Sequence, residues 1–138
     1  MGSWRSLGGN IGLLILRAGV GLGIATHGYD KFFGGHIADF AKFAVEPMGF
    51  PVPLLFAYLS ASAEFAGGLF IAAGLLTRLA AIPLAFNMGV ALFMVHIKHG
   101  DPFGKMELAA VYLVGAVAVL LLGPGGLSID RVIFGKKS

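Results

Sequence analysis

The sequence predicts an all-α fold: an integral membrane four-helix bundle with a short amphipathic interfacial helix between spans 1 and 2. Three observations carry that prediction. The 138-residue chain is 57% hydrophobic and only 12% charged, with a mean hydropathy of +0.87. A soluble domain carries about 25% charged residues to solvate its surface, so this composition would wrap a soluble fold in apolar patches. Four segments approach the roughly 20 apolar residues that a span needs, and the 22 glycines supply the small faces through which helices approach each other in lipid.

The elements follow in chain order, and residues 1–138 read as a single transmembrane domain. Span 1 covers about 11–28; no Ala-x-Ala pattern follows Ile24, so it is expected to be retained rather than cleaved as a signal peptide. Between spans 1 and 2, Ile37, Phe40, Ala41, Ala44, Val45 and Met48 recur at helical spacing, with Asp39, Lys42 and Glu46 opposite. That pattern predicts an amphipathic interfacial helix over about 37–48, either a lid on the bundle mouth or a helix resting on headgroups. Pro47, Pro51 and Pro53 stop it and lead into span 2, about 54–76. Only Thr77-Arg78 separates span 2 from span 3, about 79–96, which forces a tight antiparallel hairpin. Span 4 covers about 107–122. Gly123-Pro124-Gly125-Gly126 then breaks the helix, and Ser128 and Asp130 can cap a short tail helix ending in Lys136 and Lys137.

With this topology Arg5, Arg78, Arg131, Lys136 and Lys137 fall on one side and Lys31, Lys42, Lys98 and Lys105 on the other. Five against four is a slight bias, and it puts both termini in the cytoplasm. The net charge of +3 is not a nucleic-acid signature, because the basic residues form no stripe that could track phosphates. Lipid headgroups account for them better, so the expected partner is the bilayer. The absence of cysteine excludes disulfides, thiolate nucleophiles and cysteine-ligated metal centres within this chain. Any redox role must therefore use a bound cofactor, a lipid-soluble carrier or a partner subunit.

Ionisable groups inside spans each cost about 2.5–3.5 kcal/mol on insertion scales and need a reason to be there. Glu64 lies near the middle of span 2, with Ser60, Ala61, Gly67 and Gly68 on its face, so it is directed into the bundle. Arg17 lies in span 1, and Asn87 in span 3 one turn after Pro83. One account pairs Glu64 with Arg17, and with Asn87 alongside, as a structural fastener. The other makes Glu64 a proton-accepting or ligand-binding group in a cavity. His27, His36, His96 and His99 all fall at the outer side, and Glu107 opens span 4 at the same level. Histidine and carboxylate from different helices can build a metal site, but interfacial histidines commonly bond to water or headgroups, and no metal is assigned. No βα unit surrounds the glycine pairs, so they are helix-packing signals rather than dinucleotide loops.

Taken together, a set of motifs resembles the DoxX family of small four-span membrane proteins. They are Arg17-Ala18, His27-Gly28, Lys31-Phe32-Phe33-Gly34, Glu64-Phe65-Ala66-Gly67-Gly68-Leu69 and Gly74-Leu75-Leu76-Thr77-Arg78-Leu79-Ala80-Ala81. Met88, His96, Glu107-Leu108-Ala109, Tyr112 and Gly123-Pro124-Gly125-Gly126-Leu127-Ser128-Ile129-Asp130 complete them. The resemblance covers nearly the whole chain and implies a multi-pass protein of the bacterial inner membrane. Family members are linked to a thiosulfate:quinone oxidoreductase and to a membrane oxidoreductase assembly that includes superoxide dismutase. It carries His27, Lys31, Glu64, Arg78, His96 and Glu107 over as candidate functional positions.

The expected function is thus a membrane subunit of a redox system, holding a quinone-like lipophilic ligand in the bundle. Glu64 would take a proton or hydrogen bond from the ligand, as the catalytic candidate. Arg17, His27, Lys31, Asn87, His96 and Glu107 form the expected ligand-binding set; Arg17 would tune the charge, and His27 and His96 would connect the site to the outer water. The rival readings are an anchor or assembly protein for soluble or membrane oxidoreductases, without a ligand of its own, and a small transporter. A homo-oligomer is compatible with either.

Overall fold

The computed structural model describes residues 3–135, with side chains from Leu7 onward; Lys136 and Lys137, and the side chain of Arg5, lie outside the described residues. Helix α1 runs Ser3–Phe33. Helix α2, Ile37–Phe40, continues through a π turn, Ala41–Val45, and a 3-10 turn, Glu46–Met48. Helix α3 is Pro53–Ala73, and α4 is Thr77–Val90, extended by a π segment over Ala91–Ile97. Helix α5 is Phe103–Leu122 and the short α6 is Ile129–Phe134. Four of these are long and apolar enough to cross a membrane: Leu7–Phe33, Pro53–Ala73, Thr77–Ile97 and Phe103–Leu122. No strand occurs among the described residues.

Local chemistry explains the boundaries. Pro53 opens α3, where its missing N–H leaves no hydrogen bond unmade. Gly74 closes it at φ +74, with its N–H and that of Leu75 turned back onto the Ile71 and Phe70 carbonyls. The chain re-enters helix at Thr77, making the tight α3–α4 hairpin. Helix α1 continues past residue 28 to Phe33, and so takes Lys31 out of the connection and into its last turn.

Helices α1 and α3 approach backbone to backbone. A Cβ added to Gly28 would strike the Ala61 carbonyl and the Phe65 amide. One on Gly68 would strike the Gly21 carbonyl and the Ala25 amide, and one on Gly21 the Gly68 carbonyl. Small residues at such a crossing let dispersion attraction act where lipid gives no hydrophobic drive. The central core is Ile24, Ile71, Ala80, Ala81, Leu84, Met88, Ala116 and Val119. A second cluster, Ala41, Val45 and Ala57, seats α2 on α3, with Phe40, Met48, Phe50 and Phe56 packed around it. The outer faces are apolar: Ile15, Phe86, Val114 and Leu121 are 66%, 71%, 68% and 72% exposed. Those faces are what a bilayer covers, and this is a multi-pass membrane protein.

Where α1 starts and α3 and α5 end, the segment from Gly123 to Asp130 ties the bundle together. Asn10 accepts from the Gly126 N–H at 2.8 Å, and the buried Arg17 donates to the Leu127 carbonyl. The Asp130 N–H donates to the Gly74 carbonyl at 2.8 Å. The Asp130 carboxylate accepts from Leu76 N–H at 2.7 Å, Thr77 N–H at 2.9 Å and the Thr77 hydroxyl at 2.8 Å. Asp130 therefore caps α4 from the far end of the sequence, while Ser128 caps α6 by accepting from Arg131 N–H. Arg78 closes the end of α5 by donating to the Leu120 and Leu121 carbonyls at 3.1 and 3.3 Å. Partial burial of Asp130 favours its neutral form, but the hydrogen bonds from Thr77 and Leu76 and the charge of Arg17 outweigh it. Its carboxyl is held below the usual carboxylate range.

Two outcomes follow. Gly68→Ala is expected to lower thermal stability in detergent by about 1–3 kcal/mol through overpacking, whereas Gly19→Ala, which meets open space, should be neutral; equal melting temperatures would refute the contact. Because folding lowers the Asp130 pKa, its contribution is fully present above the unfolded value near 4 and is lost as pH falls through the lower folded value. Asp130→Asn should therefore cost about 1 kcal/mol at neutral pH and flatten the acid limb of the stability–pH curve, measured by thermal unfolding.

Candidate functional site

Glu64 sits in mid-α3 with 3% of its surface exposed. Its Oε1 accepts two hydrogen bonds, from Lys31 Nζ on α1 at 2.7 Å and from Asn87 Nδ2 on α4 at 3.0 Å. Its Oε2 is buried and has no partner among the described residues. Lys31 is itself largely covered, with 19% of its side chain exposed, and its ammonium lies 4.1 Å from the centre of the Phe40 ring. Three helices thus converge on one carboxylate, and a fourth, α2, supplies the aromatic face that shields the lysine.

This cluster forms the polar floor of a cavity of about 360 Å³. Leu59, Ser60 and Ala63 make its α3 wall; Pro83, Phe86 and Val90 make its α4 wall. Phe40 of α2, with Val45, Met48 and Phe50 from the segment that follows it, lines the remaining side. The rim residues Leu59 and Phe86 are 54% and 71% exposed, which leaves the groove open along the lipid-facing seam between α3 and α4. Both π turns contribute to the lining, through Val45 from one and Ala91 and Val95 from the other. A π turn shifts side chains out of the 3.6-residue phase and commonly occurs at functional sites. The volume suits a small ring-sized group, and the mixture of apolar walls with a few convergent polar atoms is that of a ligand site.

The expected pairing of Glu64 with Arg17 does not form. Lys31 takes that place, and Arg17 lies fourteen residues earlier on α1, about 21 Å along a helix, bonded to Leu127 at the other end of the bundle. Asn87 is where the fastener account puts it, beside Glu64. His27 is exposed and lies edge-on to Tyr112 with ring centres 5.9 Å apart. His96 meets Asp101 of its own loop at 2.9 Å, and Glu107 is exposed on α5. None of these three lines the groove. Among the described residues no three His, Cys, Asp or Glu side chains gather as a metal site would require. Sequence reasoning did not single out Phe40, Phe86 or the π turns; only the aromatic at Phe40 carried a signal, as part of the apolar stripe of α2.

The comparisons with known proteins agree with this architecture. The sequence model of the family described as DoxX matches residues 12–97. A Bacillus subtilis protein named "Putative oxidoreductase CatD" is 32% identical over 132 residues, covering 93% of this chain and 92% of that protein. "Uncharacterized membrane protein Rv3486" of Mycobacterium tuberculosis is 29% identical over 131 residues, covering 86% of this chain and 79% of its own. No solved structure matches the chain at comparable significance.

The geometry makes Glu64 and Lys31 interdependent. Lys31→Met leaves a buried carboxylate without its countercharge and is expected to cost about 3–5 kcal/mol. The double variant Lys31→Met with Glu64→Leu should recover most of that loss, read as unfolding in detergent. A double variant no more stable than Lys31→Met alone would show that the pair is not coupled.

Proposed function

The chain belongs to the DoxX family, and on that premise we propose that it is a membrane subunit of a redox system which holds a quinone-like lipophilic ligand in the groove between α3 and α4. The observation that carries this reading is Glu64, a buried carboxylate that lines an apolar groove and whose Oε2 has no hydrogen-bond partner among the described residues. An unpaired buried polar atom costs about 1–3 kcal/mol, and a ligand hydroxyl placed against it would recover that cost. The lateral mouth suits a molecule that arrives through the bilayer rather than from water. Apolar walls would hold the ring and its tail, and Glu64, supported by Lys31 and Asn87, would set the ring's orientation. The name of the Bacillus subtilis relative supports a redox setting.

In this proposal the bundle sits in the bacterial inner membrane with both termini in the cytoplasm. The Lys31 end then faces outward, and Lys31, partly exposed, links Glu64 to the outer surface in place of His27 and His96.

The rival reading makes the Lys31–Glu64–Asn87 cluster a fastener in an anchor for soluble oxidoreductases. The two are separated by mass spectrometry of small molecules retained by the protein in mild detergent. Wild type should retain a ring-bearing lipophilic molecule; Glu64→Gln and Ala63→Phe, which fills the groove, should each retain at least about tenfold less. Equal retention by all three forms, or an empty groove with soluble oxidoreductases attached, would overturn the ligand reading and favour the anchor.

A further inference from the structure

We infer that the groove selects the reduced, hydroxyl-bearing form of its ligand, a hydroquinone, over the oxidised dione. The inference rests on the reading that a quinone-like molecule occupies the groove, and it adds the redox state that is bound. Its basis is the direction of the hydrogen bonds on the floor. Lys31 and Asn87 both donate to Oε1 of Glu64, at 2.7 and 3.0 Å. The arrangement is that of a carboxylate facing an ammonium. Oε2 is then an acceptor with no donor among the described residues, on a side chain that is 3% exposed.

A hydroquinone hydroxyl can fill that vacancy with a charge-assisted hydrogen bond. The corresponding quinone presents only carbonyl oxygens at the same positions. Placed in the groove, such an oxygen would set its lone pairs against those of Oε2 and leave the carboxylate oxygen unsatisfied. The donors that a quinone carbonyl needs are already turned elsewhere, Lys31 toward Oε1 and the Phe40 ring and Asn87 toward Oε1. Ser60, which also lines the groove, carries a hydroxyl that can donate or accept and so does not discriminate. No electron transfer is part of the inference; it concerns binding alone. Tighter binding of the reduced form makes the bound couple a weaker reductant than the free one, by the ratio of the two affinities.

The test is equilibrium gel filtration of the full chain in detergent, under anaerobic conditions, with three probes: decylubiquinol, decylubiquinone and the dimethyl ether of decylubiquinol. The quinol should bind on the order of 10- to 100-fold tighter than the other two, the usual gain from a hydrogen bond to a charged group. Glu64→Gln, whose amide both donates and accepts, should bring the three affinities to near parity. Equal or tighter binding of the quinone by wild type overturns the inference, as does a quinol preference that survives in Glu64→Gln. The quinone lacks the donor hydrogens without added bulk and the ether replaces them by methyl groups, so the wild-type comparison of the three probes stands even if the variant folds poorly. Binding of none of the three probes would instead remove the quinone-like reading, and the inference with it, a result distinct from parity.

Discussion

The close approach of α1 and α3 at Gly21, Gly28 and Gly68 is the constraint from which the rest of the bundle follows. With the backbones in contact there, neither helix can slide without driving a carbonyl into the neighbouring chain. The register is therefore fixed, and it brings Lys31, one turn beyond Gly28, over Glu64, one residue before Phe65. A salt bridge inside a membrane span is stable only if its geometry is held by something other than the charges themselves. Here glycine packing does the holding, and the ion pair inherits its position. Larger residues at the crossing would separate the helices and strand a carboxylate in hydrocarbon.

The two ends of the bundle are built on different principles. At the end where the termini lie, helix ends are satisfied by side chains from remote parts of the sequence: Asp130 for α4, Arg78 for α5, Arg17 and Asn10 for the loop before α6. These bonds share no partner atoms with the groove. At the other end the helices are less regular. A π turn follows α2, another extends α4, and Pro83 in the middle of α4 removes a backbone donor. The irregular backbone lies where it borders a cavity, which is where lipid-exposed proteins tolerate it. Several motifs of the family resemblance, among them Thr77-Arg78 and Gly123 to Asp130, thus belong to the end where the termini lie. Their chemistry is capping, and the arginine among the candidate functional positions, Arg78, spends its donors on carbonyls.

Much of the fold was legible because spans, hairpins and stripes are local properties. Composition and hydropathy gave four helices, the 37–48 stripe gave α2, and the short Thr77-Arg78 break gave the hairpin, whose turn lies just before it at Gly74 to Leu76. The hairpin even made one contact of the site readable: Glu64 stands twelve residues before Leu76 and Asn87 eleven after it, so an antiparallel turn sets them level. The partner of Glu64 on α1 was another matter. Helices α1 and α3 are joined by the long 34–52 segment, which leaves their relative height free, and both Arg17 and Lys31 are basic residues on an inward face. Charge complementarity alone could not choose between them. The deciding signal was steric, a glycine at position 28 where α1 meets Ala61 and Phe65. The histidines misled for a related reason: sharing a level in the membrane does not bring side chains on separate helices to one point.

The choice of lysine at position 31 decides what the site can do. An arginine in that place would present a planar fork, and its favoured bidentate geometry would occupy both oxygens of Glu64. Lysine is a point donor. It engages Oε1 alone, Asn87 joins it on the same oxygen, and Oε2 is left over. The pair as a whole is neutral, so the span avoids the cost of a lone charge, yet one strong acceptor remains unpaired on a residue that lines an apolar groove. A cluster built only to fasten helices would gain by consuming that acceptor, and Ser60, in the next turn of α3 and already lining the groove, carries a hydroxyl that does not do so. In the proposed reading, a pair that is neutral overall and unsatisfied at one atom has the electrostatic form of a receptor for a hydroxyl.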